Sequence, residues 1–111
     1  MSRFTRGQLA KQCGLHRETV RHYERCGLLK PVGRTASQYH LFDDAALQRL
    51  RHIKLLRDLD FPIPAVTEIL PLLESPDAAE DERERWIQRI DARREALGEL
   101  RSRIEAGVTQ S

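Results

Sequence analysis

Arginine recurs at every fourth position in the run Arg17, Arg21 and Arg25. If this run is helical, the three side chains lie on one face, because residues four apart are neighbours on a helix surface. Guanidinium groups bind phosphate oxygens and the edge of guanine with fixed geometry. The chemistry that this spacing indicates is the binding of a polyanion, and of nucleic acid in particular.

The elements that must position these arginines are two short helices joined by a tight turn. Thr5 has the features of an N-cap, and Gln8, three residues later, completes a capping box. Gly14 ends the first helix and supplies the turn, and a second helix follows over about residues 16–25. This layout is typical of a helix-turn-helix, in which the basic second helix enters the major groove of DNA.

Further elements are predicted downstream. Residues 31–42 indicate a wing, that is, two very short strands joined by a turn. Asp43 then caps a third helix over 44–58, where apolar residues recur at helical spacing. A fourth helix follows and is expected to end or kink at Pro71, because proline removes a backbone donor and clashes with the preceding turn. Residues 71–79 are then a connector.

The charge of the chain is divided between its two halves. Residues 1–57 carry 12 Lys and Arg against 4 Asp and Glu, a net charge of +8, and residues 58–111 carry 7 against 13, a net charge of −6. Only the first half is expected to meet a polyanion, and a solvated charged face is the simpler alternative. No apolar run approaches the length of a membrane span and no signal-peptide core is present, so the expected location is the cytoplasm.

One long helix is predicted over about 80–106, which contains a single glycine and no proline. Its apolar residues follow a spacing of three and four that forms a heptad seam interrupted by Arg93. A helix of this length has no core of its own. A second copy of the chain is the favoured partner, and packing back on its own domain is the alternative. The dimerisation residues expected on this seam are Trp86, Ile90, Leu97, Leu100 and Ile104.

A set of spaced motifs runs through the first two thirds of the chain. They are Phe4-Thr5, Leu9-Ala10, Gly14-Leu15, the run Thr19 to Arg25, Gly27-Leu28-Leu29, Arg34-Thr35, Tyr39, Phe42, the apolar residues of the third helix, and Leu59-Asp60-Phe61. These motifs closely resemble the MerR family of bacterial transcription regulators over about residues 3–73. The resemblance implies a mostly α fold, with a winged helix-turn-helix at 1–75, a dimerisation helix at 76–106 that forms an antiparallel coiled coil, and a tail at 107–111.

The resemblance also implies a function. A homodimer would bind an inverted repeat in a promoter and distort the double-stranded DNA so that bacterial RNA polymerase can use it. Contacts to base edges are expected from Arg17, Glu18 and Thr19 at the start of the second helix. The other expected DNA-binding residues, mainly for phosphates, are Arg21, His22, Tyr23, Arg34, Tyr39 and His40. The alternative is a MerR-like adaptor, anti-activator or DNA-directionality factor that acts through protein partners.

Two motifs depart from the family pattern. The usual Gly-Tyr-Arg of the wing is Gln38-Tyr39-His40 here, and the usual Leu-Gly-Phe is Leu59-Asp60-Phe61. In both, a residue with a Cβ replaces the glycine that accommodates positive φ at lowest cost. Altered geometry of the wing and of the fourth helix is therefore expected.

Metal, cofactor and catalytic sites find little support. Cys13, His16, His22 and Cys26 could supply zinc ligands, but a metal on a helix that faces DNA would obstruct docking, and Cys13 suits a small packed position. The positions where metal-sensing members of the family carry cysteine hold alanines at 78–79 and a tail without thiols. No phosphate loop, nucleophile motif or placeable acid pair is present. We therefore predict a protein that is not an enzyme and has no metal or cofactor.

Overall fold

The computed structural model describes residues 2–77 and 79–109, the last two of these by their backbone alone. The chain divides into two compact units, residues 1–70 and 71–111. The predicted mostly helical class is confirmed. In chain order the elements are β1 (Phe4–Thr5), α1 (Arg6–Gln12), α2 (Arg17–Arg25), β2 (Gly33–Arg34), β3 (His40–Phe42), α3 (Asp44–Asp58), α4 (Ile63–Glu74) and α5 (Glu80–Thr109).

The predicted helix-turn-helix is confirmed, with its capping box. The Thr5 hydroxyl accepts from the Gln8 amide at 3.3 Å, and the Gln8 side-chain oxygen accepts from the Thr5 amide at 2.9 Å. Together they satisfy two of the donors that a helix start leaves free. Gly14 has φ 65° in the turn, and α2 begins directly after its N-cap His16.

The wing is present and belongs to a three-stranded antiparallel sheet with the order β1-β3-β2. β2 pairs with β3 through Gly33 opposite Leu41 and Arg34 opposite His40. β1 pairs with the other edge of β3, with Phe4 opposite Phe42. This first strand was not predicted, because two residues carry no detectable alternation. The sheet ties the wing to the start of α1.

The core of the first unit is built from the apolar faces of its helices. Val20 and Tyr23 of α2 are buried as predicted, and Asp43 caps α3 by accepting from the Ala46 amide at 3.0 Å. Leu55 of α3 is 57% exposed and lies outside the core. The fully buried larger side chains are Leu9, Val20, Phe42, Leu50, Ile53, Val66 and Leu70.

Pro71 does not end α4. The helix continues to Glu74, and the Ser75 amide donates to the Pro71 carbonyl at 2.9 Å. The interpretation of 71–79 as a connector is therefore wrong for residues 71–74. Pro71 removes its own amide donor, but its carbonyl still accepts the hydrogen bond that closes the next turn.

The long predicted helix is confirmed as α5, a helix of 30 residues with a length of about 45 Å at 1.5 Å per residue. It continues to Thr109 and so includes residues assigned to the tail, while Ala78, Gln110 and Ser111 lie outside the described residues. Trp86 is buried, with the Arg89 guanidinium 4.4 Å from the centre of its ring. In the part of the chain that is described, no helix is both long and apolar enough to cross a bilayer.

Candidate nucleic-acid interface

The basic face of α2 is exposed, as its spacing predicts. Arg17, Arg21 and Arg25 are all exposed, whereas Val20 and Tyr23 are buried. The helix is thus held by its apolar side, and its arginines project into solvent. Three guanidinium groups on one exposed face can bind several phosphates or base edges at once.

Arg17 packs against the first turn of α1. A Cβ atom added to Gly7 would lie 3.2 Å from the Nη2 atom of Arg17, which is closer than ordinary van der Waals contact. The guanidinium end of Arg17 therefore lies close against the backbone of Gly7. The two other residues expected at base edges differ in exposure: Glu18 is exposed and Thr19 is half-buried.

The wing presents Arg34 and Tyr39, which are both exposed. Its turn is closed by the Thr35 amide, which donates to the Tyr39 carbonyl at 2.8 Å, and by the Thr35 hydroxyl, which accepts from the Tyr39 amide at 3.1 Å. Gln38 has φ 70° within this turn, in the left-handed region that glycine adopts at lowest cost. The wing keeps its hairpin despite the missing glycine.

His40 makes a contact that the sequence did not predict. Its Nδ1 atom lies 2.9 Å from the Glu24 Oε1 atom and 3.1 Å from the Arg6 Nη2 atom. Arg6 in turn donates through Nε to Glu24 Oε2 and through Nη2 to Oε1 at 3.1 Å. We call Arg6, Glu24 and His40 the wing triad. It joins the first residue of α1, the last turn of α2 and the first residue of β3.

The electrostatics of the wing triad centre on Glu24, whose side chain is only 10% exposed. Burial acts to raise the pKa of Glu24, but the hydrogen bonds from Arg6 and His40 outweigh it, and the pKa is lowered. The hydrogen bond to Glu24 likewise raises the pKa of Arg6. Glu24 is therefore a partly buried carboxylate that stays ionised because its partners hold it in the charged form.

The remaining candidates on α2 are Tyr23 and His22. Tyr23 is buried, with 6% of its surface exposed. His22 is exposed, and its Nε2 atom lies 3.7 Å from the Cys26 sulfur. Among the described residues no three potential metal ligands come together. Burial raises the pKa of the Cys13 thiol, which disfavours the reactive thiolate.

Arg6 and Glu24 are the residues of this region that sequence reasoning missed. Glu24 interrupts the basic character of α2, and that charge reversal was the one available signal. Nothing in the sequence links it to Arg6, 18 residues earlier, or to His40, 16 residues later. Contacts at such separations follow from the packing of three elements, which no local periodicity encodes.

Two models of sequence families match this chain, and both are described as MerR. The model described as MerR HTH family regulatory protein matches residues 4–73, and the model described as MerR, DNA binding matches residues 47–106. The chain belongs to the MerR family. The resemblance inferred from the spaced motifs is thereby confirmed. The match of the second model extends along α5, so the family likeness is not limited to the helix-turn-helix.

Curated MerR-family relatives fall into two groups by the extent of the match. The HTH-type transcriptional regulator MerD of Acinetobacter calcoaceticus is 34% identical, and the match covers 99% of this chain and 93% of that protein. The mercuric resistance operon regulatory protein of Bacillus cereus is 33% identical, and the match covers 68% of this chain and 58% of that protein. The likeness to MerD thus extends along nearly the whole of both chains.

Solved structures share the fold. HiNmlR, a MerR family regulator lacking the sensor domain and bound to promoter DNA, superposes with a TM-score of 0.71 at 21% identity, over 94% of this chain and 80% of that one. The transcription regulator PbrR691 from Ralstonia metallidurans CH34, in complex with lead(II), superposes with a TM-score of 0.68 at 30% identity, over 89% and 78%.

Proposed function

We propose that this chain is a transcription regulator that binds promoter DNA as a homodimer, with α2 in the major groove and the wing on the phosphate backbone. The observation that carries the proposal is the exposed row of Arg17, Arg21 and Arg25, with Arg34 and Tyr39 exposed on the wing. Membership of the MerR family supports it, as does the fold that it shares with a MerR regulator bound to promoter DNA.

The residues of this interface have separate roles in the proposal. Arg17, Glu18 and Thr19, in the first turn of α2, contact base edges and so give sequence preference. The exposed arginines and tyrosine, Arg21, Arg34 and Tyr39, bind phosphates, with His22 and the Tyr23 hydroxyl as further contacts. His40 supports the wing, since its Nδ1 atom is already engaged with Glu24.

The homodimer is proposed from α5. Ile90, Leu97, Leu100 and Ile104 are each about half exposed, at 49%, 55%, 53% and 60%. These positions form one stripe at helical spacing, and a contiguous apolar stripe of this kind marks a surface that another helix covers. Trp86, at the beginning of the same stripe, is already buried within the single chain. We propose that the stripes of two α5 helices pair in an antiparallel coiled coil.

A further part of the proposal concerns the DNA. A dimer whose two recognition helices contact the halves of an inverted repeat can bend and untwist the duplex between them, at a cost of a few kcal/mol that extra contacts offset. Bacterial RNA polymerase is the proposed partner that uses the distorted promoter. Circularly permuted DNA fragments measure this bend: the mobility of the complex should depend on the position of the site within the fragment.

DNA binding is tested by titrating the protein against the region upstream of its own coding sequence, with random duplex DNA for comparison. Arg17→Ala/Arg21→Ala should weaken binding by about two orders of magnitude, since specific and phosphate contacts each contribute about 1–3 kcal/mol. Arg85→Ala/Arg94→Ala removes the same charge from exposed positions of α5 and is the matched control. Equal losses in both double variants would show that binding follows total charge and not the α2 face.

The adaptor hypothesis is the other outcome of this titration. An adaptor that acts through protein partners does not discriminate its own upstream region from random duplex, even at low salt. The regulator prefers the upstream region, and its affinity falls steeply as salt rises, because phosphate contacts release counterions.

A further inference from the structure

The wing has little structure of its own to hold its direction. β2 has two residues and β3 has three, and a two-stranded hairpin of this size is marginal without further support. β1 adds a pairing to β3 that also spans two residues. Contacts from outside the hairpin must therefore fix the angle between the wing and the recognition helix.

The wing triad supplies such a contact at a residue that pairs with the other strand of the wing. His40 is the residue of β3 that pairs directly with Arg34 of β2. Its Nδ1 atom lies 2.9 Å from a carboxylate oxygen of Glu24, which belongs to the last turn of α2. A fixed His40 therefore also fixes the backbone of Arg34 relative to the helix that carries Arg17 and Arg21.

The hydrogen-bond chemistry gives each member a distinct role. Arg6 binds both Glu24 oxygens, so its guanidinium holds the carboxylate in one orientation. With its hydrogen on Nδ1, the neutral His40 ring donates to Glu24, and its Nε2 atom is then an acceptor only. An acceptor cannot bind a phosphate oxygen. In this tautomer His40 orients the wing and offers no donor to a phosphate.

We propose that Glu24 is a positioning residue for DNA binding: together with Arg6 and His40 it sets the angle of the wing against α2 and so places Arg34 on the phosphate backbone. The inference rests on the proposed function for its DNA part. The structural part, that Glu24 holds the wing, stands independently of it. The two parts are tested by separate measurements.

The structural part is tested without DNA, by amide hydrogen exchange at constant pH. Two wing amides report on the hairpin: Val32, which donates to the Leu41 carbonyl, and Thr35, which donates to the Tyr39 carbonyl. In Glu24→Gln both should exchange about tenfold faster than in the wild type, whereas the buried α3 residues Leu50 and Ile53 report global unfolding and should change less.

Glu68→Gln is the matched control, since it removes the same charge from an exposed position of α4. It should leave the exchange of the wing unchanged. If Glu24→Gln speeds amide exchange equally in the wing and in the α3 core, or in neither of them, Glu24 does not hold the wing. That result would overturn the inference.

The DNA part is tested by a double-mutant cycle on the upstream DNA region. Arg34→Ala should weaken binding by about tenfold in the wild type, the effect of one lost phosphate contact. In the Glu24→Gln background the same substitution should cost less than about threefold, because Arg34 is no longer held at its phosphate.

An equal cost of Arg34→Ala in both backgrounds would contradict the positioning role, even if Glu24→Gln binds DNA less well. A wild type without preference for the upstream region would overturn the proposed function and, with it, the DNA part of the inference. The exchange measurement would still decide whether Glu24 holds the wing.

Discussion

At the scale of single residues, one glycine lies against an arginine that is expected to contact base edges. Gly7 is helical, where alanine is normally favoured by roughly 0.5–1 kcal/mol. A Cβ there would lie 3.2 Å from the Arg17 guanidinium, which would have to shift by a few tenths of an ångström. Stability and DNA binding are therefore expected to respond to Gly7 in opposite directions.

We expect Gly7→Ala to retain or raise the thermal midpoint and to weaken binding of the upstream DNA by about three- to tenfold, through the displaced Arg17. Thermal unfolding and a fluorescence anisotropy titration measure the two effects. Gly98→Ala is the control, because a Cβ at Gly98 meets no atom within 4 Å. Gly98→Ala should raise the thermal midpoint and leave the affinity for the upstream DNA unchanged. Wild-type affinity in Gly7→Ala would show that Arg17 does not depend on this contact.

Glu24 is also expected to affect how the free energy of unfolding depends on pH in the acid range. Its pKa is lowered in the folded protein, so its contribution to the free energy of unfolding is present above its unfolded pKa of about 4.3 and is lost as pH falls through the lower, folded value. Glu24→Gln should therefore be less stable than the wild type at about pH 6, and this difference should shrink towards about pH 3.

Denaturant unfolding across this range measures the effect, with Glu68→Gln as the control of equal charge. A stability difference between Glu24→Gln and the wild type that stays constant with pH would mean that the carboxylate is not held in its charged form. The same data bear on the wing triad, because the lowered pKa arises from the hydrogen bonds that Arg6 and His40 donate.

At the scale of elements, the wing is a hydrogen-bonded hairpin in which one residue has an unfavourable backbone conformation. Gln38 adopts φ 70°, in a region where a side chain costs energy that glycine avoids. The hydrogen bonds of the Thr35–Tyr39 turn hold it there. We expect Gln38→Gly to raise the free energy of unfolding by about 0.5–1 kcal/mol, measured by chemical denaturation.

Ser37→Gly tests the same turn at a residue that does not have positive φ. It should lower stability slightly, because glycine there only adds freedom to the unfolded chain. The expectation for Gln38 fails if Gln38→Gly is no more stable than the wild type. In that case the strain at φ 70° is already relieved by the turn.

At the scale of the whole molecule, the apolar stripe of α5 is expected to decide the oligomeric state. Leu97 and Leu100 are more than half exposed in the single chain, and burying each against a partner contributes about 1.5–3 kcal/mol. Leu97→Asp/Leu100→Asp should therefore give monomers by light scattering, with helical content largely retained. Binding to the upstream DNA should weaken sharply, since one monomer contacts only half of the repeat.

Gln88→Asp/Ser102→Asp introduces the same acids on the opposite face of α5, at about 100° per residue, and should remain dimeric. A Leu97→Asp/Leu100→Asp protein that is still a dimer would place the interface elsewhere. A wild type that is monomeric at micromolar concentration would contradict the homodimer itself.

The sequence by itself determined the helices, the wing and the exposed basic surface, but not β1 or the end of α4. Thr5 with Gln8, Gly14, and the spacing of Arg17 and Arg21 are local signals, and the structure has the capping box, the turn and the exposed basic face that they predict. The apolar stripe of α5 was equally predictable, because helical periodicity depends only on the spacing of residues within one helix. These features depend on neighbours a few residues apart.

Only the tertiary structure decided how the elements meet. The pairing of Phe4 with Phe42, the bonds of Arg6 and His40 to Glu24, and the contact of Arg17 with Gly7 each join parts of the chain that are distant in sequence or lie in different elements. The continuation of α4 past Pro71 likewise went against the local signal. Such contacts depend on the relative placement of packed elements, which side-chain volume and charge settle together and no periodic pattern records.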